Sequence, residues 1–574
     1  MGLLKQELPT IDFATWSKGT RAQKIEPMAR HWAETGFGTP VLLHLFYVLK
    51  IALYLLGAWL IVLSTTGIDG FTDVATWYDE PIVFQKVVLY TMLFEVVGLG
   101  CGFGPLNNRF MPPLGSILYW LRPKTIRLPP WPNRVPLTSG TTRTPFDAVL
   151  YAALLIMLGL ALGTDGTGPV AGLDTTVGVL PRWEIWAILA VLAVLGLRDK
   201  VIFLAARGEV YATLTVTFLF TGADMILAAK FVCLVIWVGA ATSKLNKHFP
   251  FVMSTMMSNS PVIRPKFIKR RFFEHFPDDL RPGRLSRVFA HLSTAVEMLV
   301  PLVLFCTHGW PLAIAAFVMV CFHLGILSSI PMGVPLEWNV FMIFAIFALF
   351  LGHPELGLGE LRSPLPVILL LVVAAVVIAG NLFPRKIAFL PGMRYYAGNW
   401  DTTLWCLTPA ASAKISENIV AIASMPAAQL EKFYGNKEAA QIPLYMGYAF
   451  RAFNTHGRAL FTLAHRALAD RDEADYTLTD GERIASTALG WNFGDGHMTN
   501  EQLIDALQQR CHFAPGEVRV VLLDAQPIHR QQQAYRLIDP ATGEFERGTV
   551  RVADMVTRQP WDDTLPVRTT WSAT

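Results

Sequence analysis

Charge is scarce in this chain. Only 16% of its 574 residues are charged and 53% are hydrophobic, whereas an ordinary soluble domain carries roughly 25% charged residues. That shortage excludes a conventional water-soluble protein. Cysteine is sparse too. Cys101, Cys233, Cys306, Cys321, Cys406 and Cys511 form no CxxC pair, so neither a disulfide framework nor a zinc site is indicated. Four of them lie in or beside apolar runs, where cysteine behaves as a small hydrophobe. A net charge of +4 gives no reason to expect a nucleic-acid partner. The N-terminus has no short apolar core followed by a small-residue cleavage site. No removable leader is therefore expected, and the first apolar run is read as the insertion signal.

What the chain has instead is long apolar runs. A bilayer-spanning helix needs roughly 20 consecutive apolar residues. Candidate runs are Val41–Ser64, Val83–Gly104, Phe146–Gly163, Trp183–Leu197, Val210–Ala241, Leu285–Cys306, Trp310–Leu327, Leu336–Gly352 and Leu365–Phe383. The expected fold is an all-α polytopic membrane bundle of about 8–10 spans, followed by a soluble C-terminal α+β domain. Three parts are expected: an N-terminal amphipathic segment (1–39), the transmembrane region (40–386) and the C-terminal domain (387–574).

Basic residues in short loops set orientation. The N-terminal segment (Lys5, Lys18, Arg21, Lys24, Arg30) and the 109–143 loop are basic, whereas 67–81 and 163–181 carry no lysine or arginine. A cell membrane location with both termini cytoplasmic follows as the expectation. The loop from Lys247 to Arg287 strains the rule. It is strongly basic, yet Val210–Ala241 is too short for two comfortable crossings at about 1.5 Å per residue. Either that run is a re-entrant pair broken at Thr221-Gly222-Ala223-Asp224, or it crosses once.

Beyond Pro384 the composition becomes that of a soluble domain. Ile415–Leu468 and Asn500–Cys511 have helical spacing, and Glu517–Asp524, Gln533–Ile538 and Thr549–Val552 read as strands. The Asp12–His31 stretch is expected to lie flat at the interface as an amphipathic helix or to cap the spans.

The polar residues that interrupt apolar helices carry the chemistry, because hydrocarbon cannot solvate them. Lys244 closes the run F-V-C-L-V-I-W-V-G-A-A-T-S-K-L-N-K-H-F. It either snorkels to the interface or belongs to a site. His248 follows at i+4 and shares its face if the helix continues. A desolvated amine loses its proton more readily, which a lysine base requires. Glu297 interrupts a second helix, as counter-ion or as packing salt bridge. His291 lies on that same helix about 120° away, and His323 interrupts a third, as catalyst or as hydrogen-bonded packing residue. Lys230 and Lys244 stand near opposite ends of one span, about 21 Å apart, so they cannot act on one atom. Lys50 and Glu95 are expected to pair across the first two spans.

Other motifs read as architecture. G-L-G-C-G-F-G (98–104) follows an apolar helix rather than a strand, so close helix packing is expected instead of a dinucleotide loop. The R-P-K-T-I-R-L-P-P-W-P-N-R loop cannot be regular structure and suits a headgroup-facing surface. N-F-G-D-G-H, with Asp495 and His497, reads as a turn.

The A-A-T-S-K-L-N-K-H-F block (Ala240, Ala241, Lys244, Leu245, Phe249) resembles a short segment of vitamin-K-dependent gamma-carboxylases and the related horizontally transferred transmembrane (HTTM) domains. C-F-H-L-G-I-L-S-S-I-P-M-G-V-P-L-E-W-N is similar to their later helix pair, and the likeness spans about residues 226–349. Phe249 stands where tryptophan is usual. As a whole, the chain is similar to a polytopic transmembrane family of actinobacteria. The carboxylase resemblance implies Lys244 as a base acting on a reduced quinone; from the residues themselves, Glu297 and His323 are the further catalytic candidates and His248 and His291 the candidates beside the cofactor. Three functions stay open: a membrane enzyme acting on a lipid or isoprenoid substrate, a lipid-handling or transport protein, and a scaffold whose C-terminal domain docks a partner.

Overall fold

The computed structural model describes residues 2–100, 115–136, 138–329, 336–491, 493 and 495–573. Six helices are long and apolar enough to cross a bilayer: Val41–Leu63, Pro145–Gly163, Ala223–Ser243, Arg284–Cys306, Gly309–Ser329 and Leu365–Leu382. Five of them bury less than half of their most apolar window within the protein, but Ala223–Ser243 buries 83% and is the central helix. Three further expected spans are shorter: Pro81–Val96, Arg182–Arg198 and Leu336–Ala345, the last continued by a π-helical turn over Ile346–Leu351. At about 1.5 Å per residue, a 16- or 17-residue helix is roughly 25 Å long, less than the hydrocarbon thickness of about 30 Å.

The 210–241 run resolves into two unequal pieces. Tyr211–Thr217 is a short buried helix, and the central helix starts afresh after Gly222. Gly222 has φ +55, and a Cβ there would lie 2.9 Å from the Ala171 carbonyl oxygen; only glycine meets both demands without strain. This segment therefore contains a single helix long enough to cross a bilayer.

Loops sort to the two ends of the bundle. At one end Thr66 donates to Asp165 (2.8 Å), Thr175 to Glu80 (2.5 Å) and the Arg362 amide to Asp224 (2.9 Å). Lys230 caps this end by donating to the carbonyls of His353 (2.6 Å) and Leu356 (2.8 Å). The basic segments gather at the other end against the C-terminal domain, where Gln502 bonds the Pro129 carbonyl and Trp120 the Leu489 carbonyl. Within the proline-rich loop Trp131 is exposed. Arg127 and Arg143 instead turn inward to Asp147 and Asp199. Residues 101–104 of the glycine-rich run, and Asn492 and Gly494 of N-F-G-D-G, fall outside the described set.

The C-terminal region carries a six-stranded antiparallel sheet in the spatial order Thr477–Asp480, Thr402–Leu407, Val518–Leu523, Gln532–Asp539, Gly543–Arg551, Val567–Ser572. Helices Lys437–Phe453 and Thr455–Ala467 pack on it. The N-terminal helix Arg21–Thr35 turns Ile25, Met28 and Trp32 toward this domain; Trp32 meets Phe450 with ring centroids 5.2 Å apart. The hairpin Phe273–His275 with Asp279–Pro282 contributes Phe272, Phe273 and Leu280 to the same apolar core. The C-terminal region thus buries its core against pieces from two distant parts of the chain.

Candidate functional site

The central helix ends where its chemistry begins. Lys244 is its C-cap, and the Asn246 side chain closes the helix and opens the next one, Phe249–Asn259. Its amide nitrogen donates to the Ser243 and Ala397 carbonyls (2.6 and 3.0 Å), while its oxygen accepts the His248 and Phe249 N–H groups (2.7 and 2.9 Å). Lys244 is thereby held at the lip of the bundle with its side chain turned inward. Its ammonium pairs with Glu297 on the Arg284–Cys306 helix, and both side chains are less than one-tenth exposed. The Phe249 ring lies 5.5 Å from the same ammonium, within cation–π range.

This pair stands in the wall of a chamber of about 360 Å³. Most of the lining is apolar, including Ile236, Met253, Met256 and Phe289. His323 lines it as well. Trp237 Nε1–H donates to His323 Nε2 (3.0 Å), so the proton sits on Nδ1, which donates to Asn339 Oδ1 (2.8 Å). Both ring nitrogens are occupied, which makes His323 a neutral, fixed part of the wall. At the far end Arg207 stacks 4.8 Å from the Trp338 ring and pairs with Glu209 (2.7 Å), which also accepts from the Tyr395 hydroxyl (3.3 Å).

Three of the five expected site residues, Lys244, Glu297 and His323, therefore meet around one chamber. The other two do not. Because the helix stops at Ser243, Lys244 and His248 share no helical face. His248 points into the C-terminal domain, accepting from Thr455 Oγ1 (2.5 Å) and donating to Gln526 Oε1 (2.8 Å). Burial pulls its pKa down to about 4, so it is neutral. His291 is exposed and lines a second, more polar cleft of about 380 Å³, to which Lys244 and Phe249 also belong. Lys50 meets Glu337 (2.7 Å) and the Gly100 carbonyl (2.9 Å), while Glu95 lies against Gly100. Glu337 is a partner that the first two spans do not contain.

Arg207 and Tyr395, which line the chamber, and Glu209, which holds them, escape a reading of the sequence. Arg207-Gly208-Glu209 sits in a tight turn between short helices, where a charged pair looks solvated, and Tyr395 arrives from beyond the last span. Among the described residues no group of three or more His, Cys, Asp or Glu side chains is placed to hold a metal.

A family model described as "Transmembrane protein of unknown function (DUF3556)" matches residues 1–570. The chain belongs to this family. The match runs from the N-terminal helix through the bundle to the last strand, so the DUF3556 unit includes the C-terminal sheet region as well as the long apolar helices. No curated protein and no solved structure matches the chain. Membership makes it a transmembrane protein, in keeping with the six long apolar helices.

Proposed function

We propose that this protein is a membrane enzyme that acts on a long-chain lipid, with Lys244 as the base and Glu297 as its proton partner. The observation that carries this reading is the Lys244–Glu297 pair, set in the wall of an otherwise largely apolar chamber. Two full charges taken out of water are expensive to keep. Passing the ammonium proton to the carboxylate leaves two neutral groups, and the free amine can then accept a proton from an acidic hydroxyl on the substrate. Methionines Met253, Met256 and Met257 supply an adaptable wall for an isoprenoid or acyl chain. His323, with both nitrogens committed, is a positioning residue that fixes Trp237 and Asn339.

A reduced naphthoquinone is the substrate class to try first, since it moves within the bilayer and offers an acidic phenol. Orientation follows from the loops. Across 64–80, 164–181, 307–308 and 352–364, the end of the bundle away from the C-terminal domain carries Arg362 as its one lysine or arginine, with Arg182 opening the helix that follows 181. The domain and both termini are then cytoplasmic, and the protein resides in the cell membrane.

The test is oxygen-dependent epoxidation of a reduced naphthoquinone by the full chain in lipid nanodiscs, comparing wild type with Lys244→Met. Epoxide from the wild type and none from the folded variant supports the base. No epoxide from well-folded wild type removes quinone chemistry and favours the second reading, lipid handling, which the chamber alone would serve.

A further inference from the structure

The second cleft differs in kind from the chamber. Lys244, Lys247 and His291 line it, and no aspartate or glutamate does. Most of its amide side chains are already committed: Asn246 to the helix junction, Asn399 to both backbone groups of Gln526, and Gln526 to His248 and the Arg530 carbonyl. Lys244 pairs with Glu297, but the other two basic groups are uncommitted. Lys247 and His291 are exposed and make no hydrogen bond or ion pair among the described residues. Ile528 and Gln531 also line the cleft, and His529 and Arg530, both exposed, lie between them in sequence. The carboxylates closest in sequence to its lining, Asp401 and Asp524, are paired with Arg394 (3.3 Å) and Arg536 (3.1 Å).

Position adds to charge. The cleft lies where the central helix ends, between the spans and the C-terminal domain. Its rim includes Leu245, 58% exposed, and close by on the His291 helix is Leu292, 60% exposed. Apolar side chains left open beside unneutralised cations match the boundary between acyl chains and headgroups. Basic pockets between helices at that depth are suited to phosphate-bearing lipid heads.

We propose that this cleft is a phosphate-binding site, which takes the headgroup of a phosphorylated lipid at the membrane surface next to Lys244. The proposal goes beyond the reaction proposed above and does not depend on it, since a phosphate can be held here whatever fills the chamber.

The test uses the full chain in phosphatidylcholine nanodiscs doped with phosphatidic acid, with retained lipid read by native mass spectrometry. Wild type should retain phosphatidic acid in preference to phosphatidylcholine. Lys247→Gln/Arg530→Gln should weaken that preference roughly 30-fold, about fivefold for each charge removed. A control pair on the exposed basic loop, Arg264→Gln/Arg271→Gln, should leave it unchanged. Displacement by micromolar inorganic pyrophosphate would make soluble phosphates the natural occupant, and resistance to it would make the lipid head the occupant; the phosphate site stands in both cases. Absence of any preference in the wild type, or an equal loss in the control pair, would overturn the proposal. Neither result would touch the quinone assay, which reads the chamber.

Discussion

Replacing Lys244 and Glu297 separately and together distinguishes a reactive pair from a structural clamp. Both side chains are more than nine-tenths buried, at 8% and 7% exposed, and each neutralises the other. Lys244→Met leaves a carboxylate in an apolar wall, and Glu297→Leu leaves an ammonium there. Removing one partner of a buried pair costs about 3–5 kcal/mol, whereas replacing both with apolar groups of similar volume is near neutral or stabilising. Each single variant should therefore lose about 3–5 kcal/mol of stability. The double variant should recover most of it, giving a coupling of at least about 3 kcal/mol. Equilibrium unfolding in mixed micelles, followed by tryptophan fluorescence, measures all four corners of the cycle. The double variant should also be well folded and inactive, because it keeps the packing and lacks the base. Additive single effects below about 1 kcal/mol would show that water already solvates both groups and would refute the account of the pair.

Three other outcomes follow. His248 titrates near pH 4 in the folded protein against an ordinary value of 6.5, so the unfolded chain binds the extra proton between those values. Stability from this group is complete above about pH 6.5 and falls as the pH drops toward 4; a pH series of unfolding midpoints should show that slope in wild type and lose it in His248→Gln. Gly222→Ala should cost about 1–2 kcal/mol in the same unfolding assay through its positive φ, and more through the approach to the Ala171 carbonyl. The fragment 387–574 produced alone should aggregate in size-exclusion chromatography, because Ile25, Trp32, Phe273 and Leu280 complete its core from outside that range.

Much of the site was legible because charge inside an apolar run is conspicuous at any position. Lys244, Glu297 and His323 each interrupt a helix that has no other reason to carry them, and the fold brings the three to one chamber. His248 misled because a helical wheel assumes that the helix continues. The break depends on Asn246 reaching the Ala397 carbonyl, a contact between residues about 150 positions apart that no local pattern records. Lys50 is similar, since its carboxylate comes from Glu337. In the sheet, Val518–Leu523 and Gln532–Asp539 match two expected strands, whereas the third expectation, Thr549–Val552, caught only the end of Gly543–Arg551. Thr402–Leu407 is buried at all six positions, so it lacks the alternation that marks a strand with one wet face. The edge strands Thr477–Asp480 and Val567–Ser572 are too polar to stand out.

The most direct measurement of the central claim, that the Lys244 chamber receives a lipid chain, is photocrosslinking with a long-chain isoprenoid carrying a diazirine in its tail. The full protein would be irradiated in nanodiscs and digested, and the adducts mapped by mass spectrometry. The account predicts adducts on chamber residues such as Met253, Met256, Phe289 and Cys321, competed away by unlabelled lipid and reduced by the chamber-filling variant Ala240→Phe. Adducts confined to outward-facing positions such as Leu53, Leu371 and Val372, unaffected by competitor or by Ala240→Phe, would contradict it.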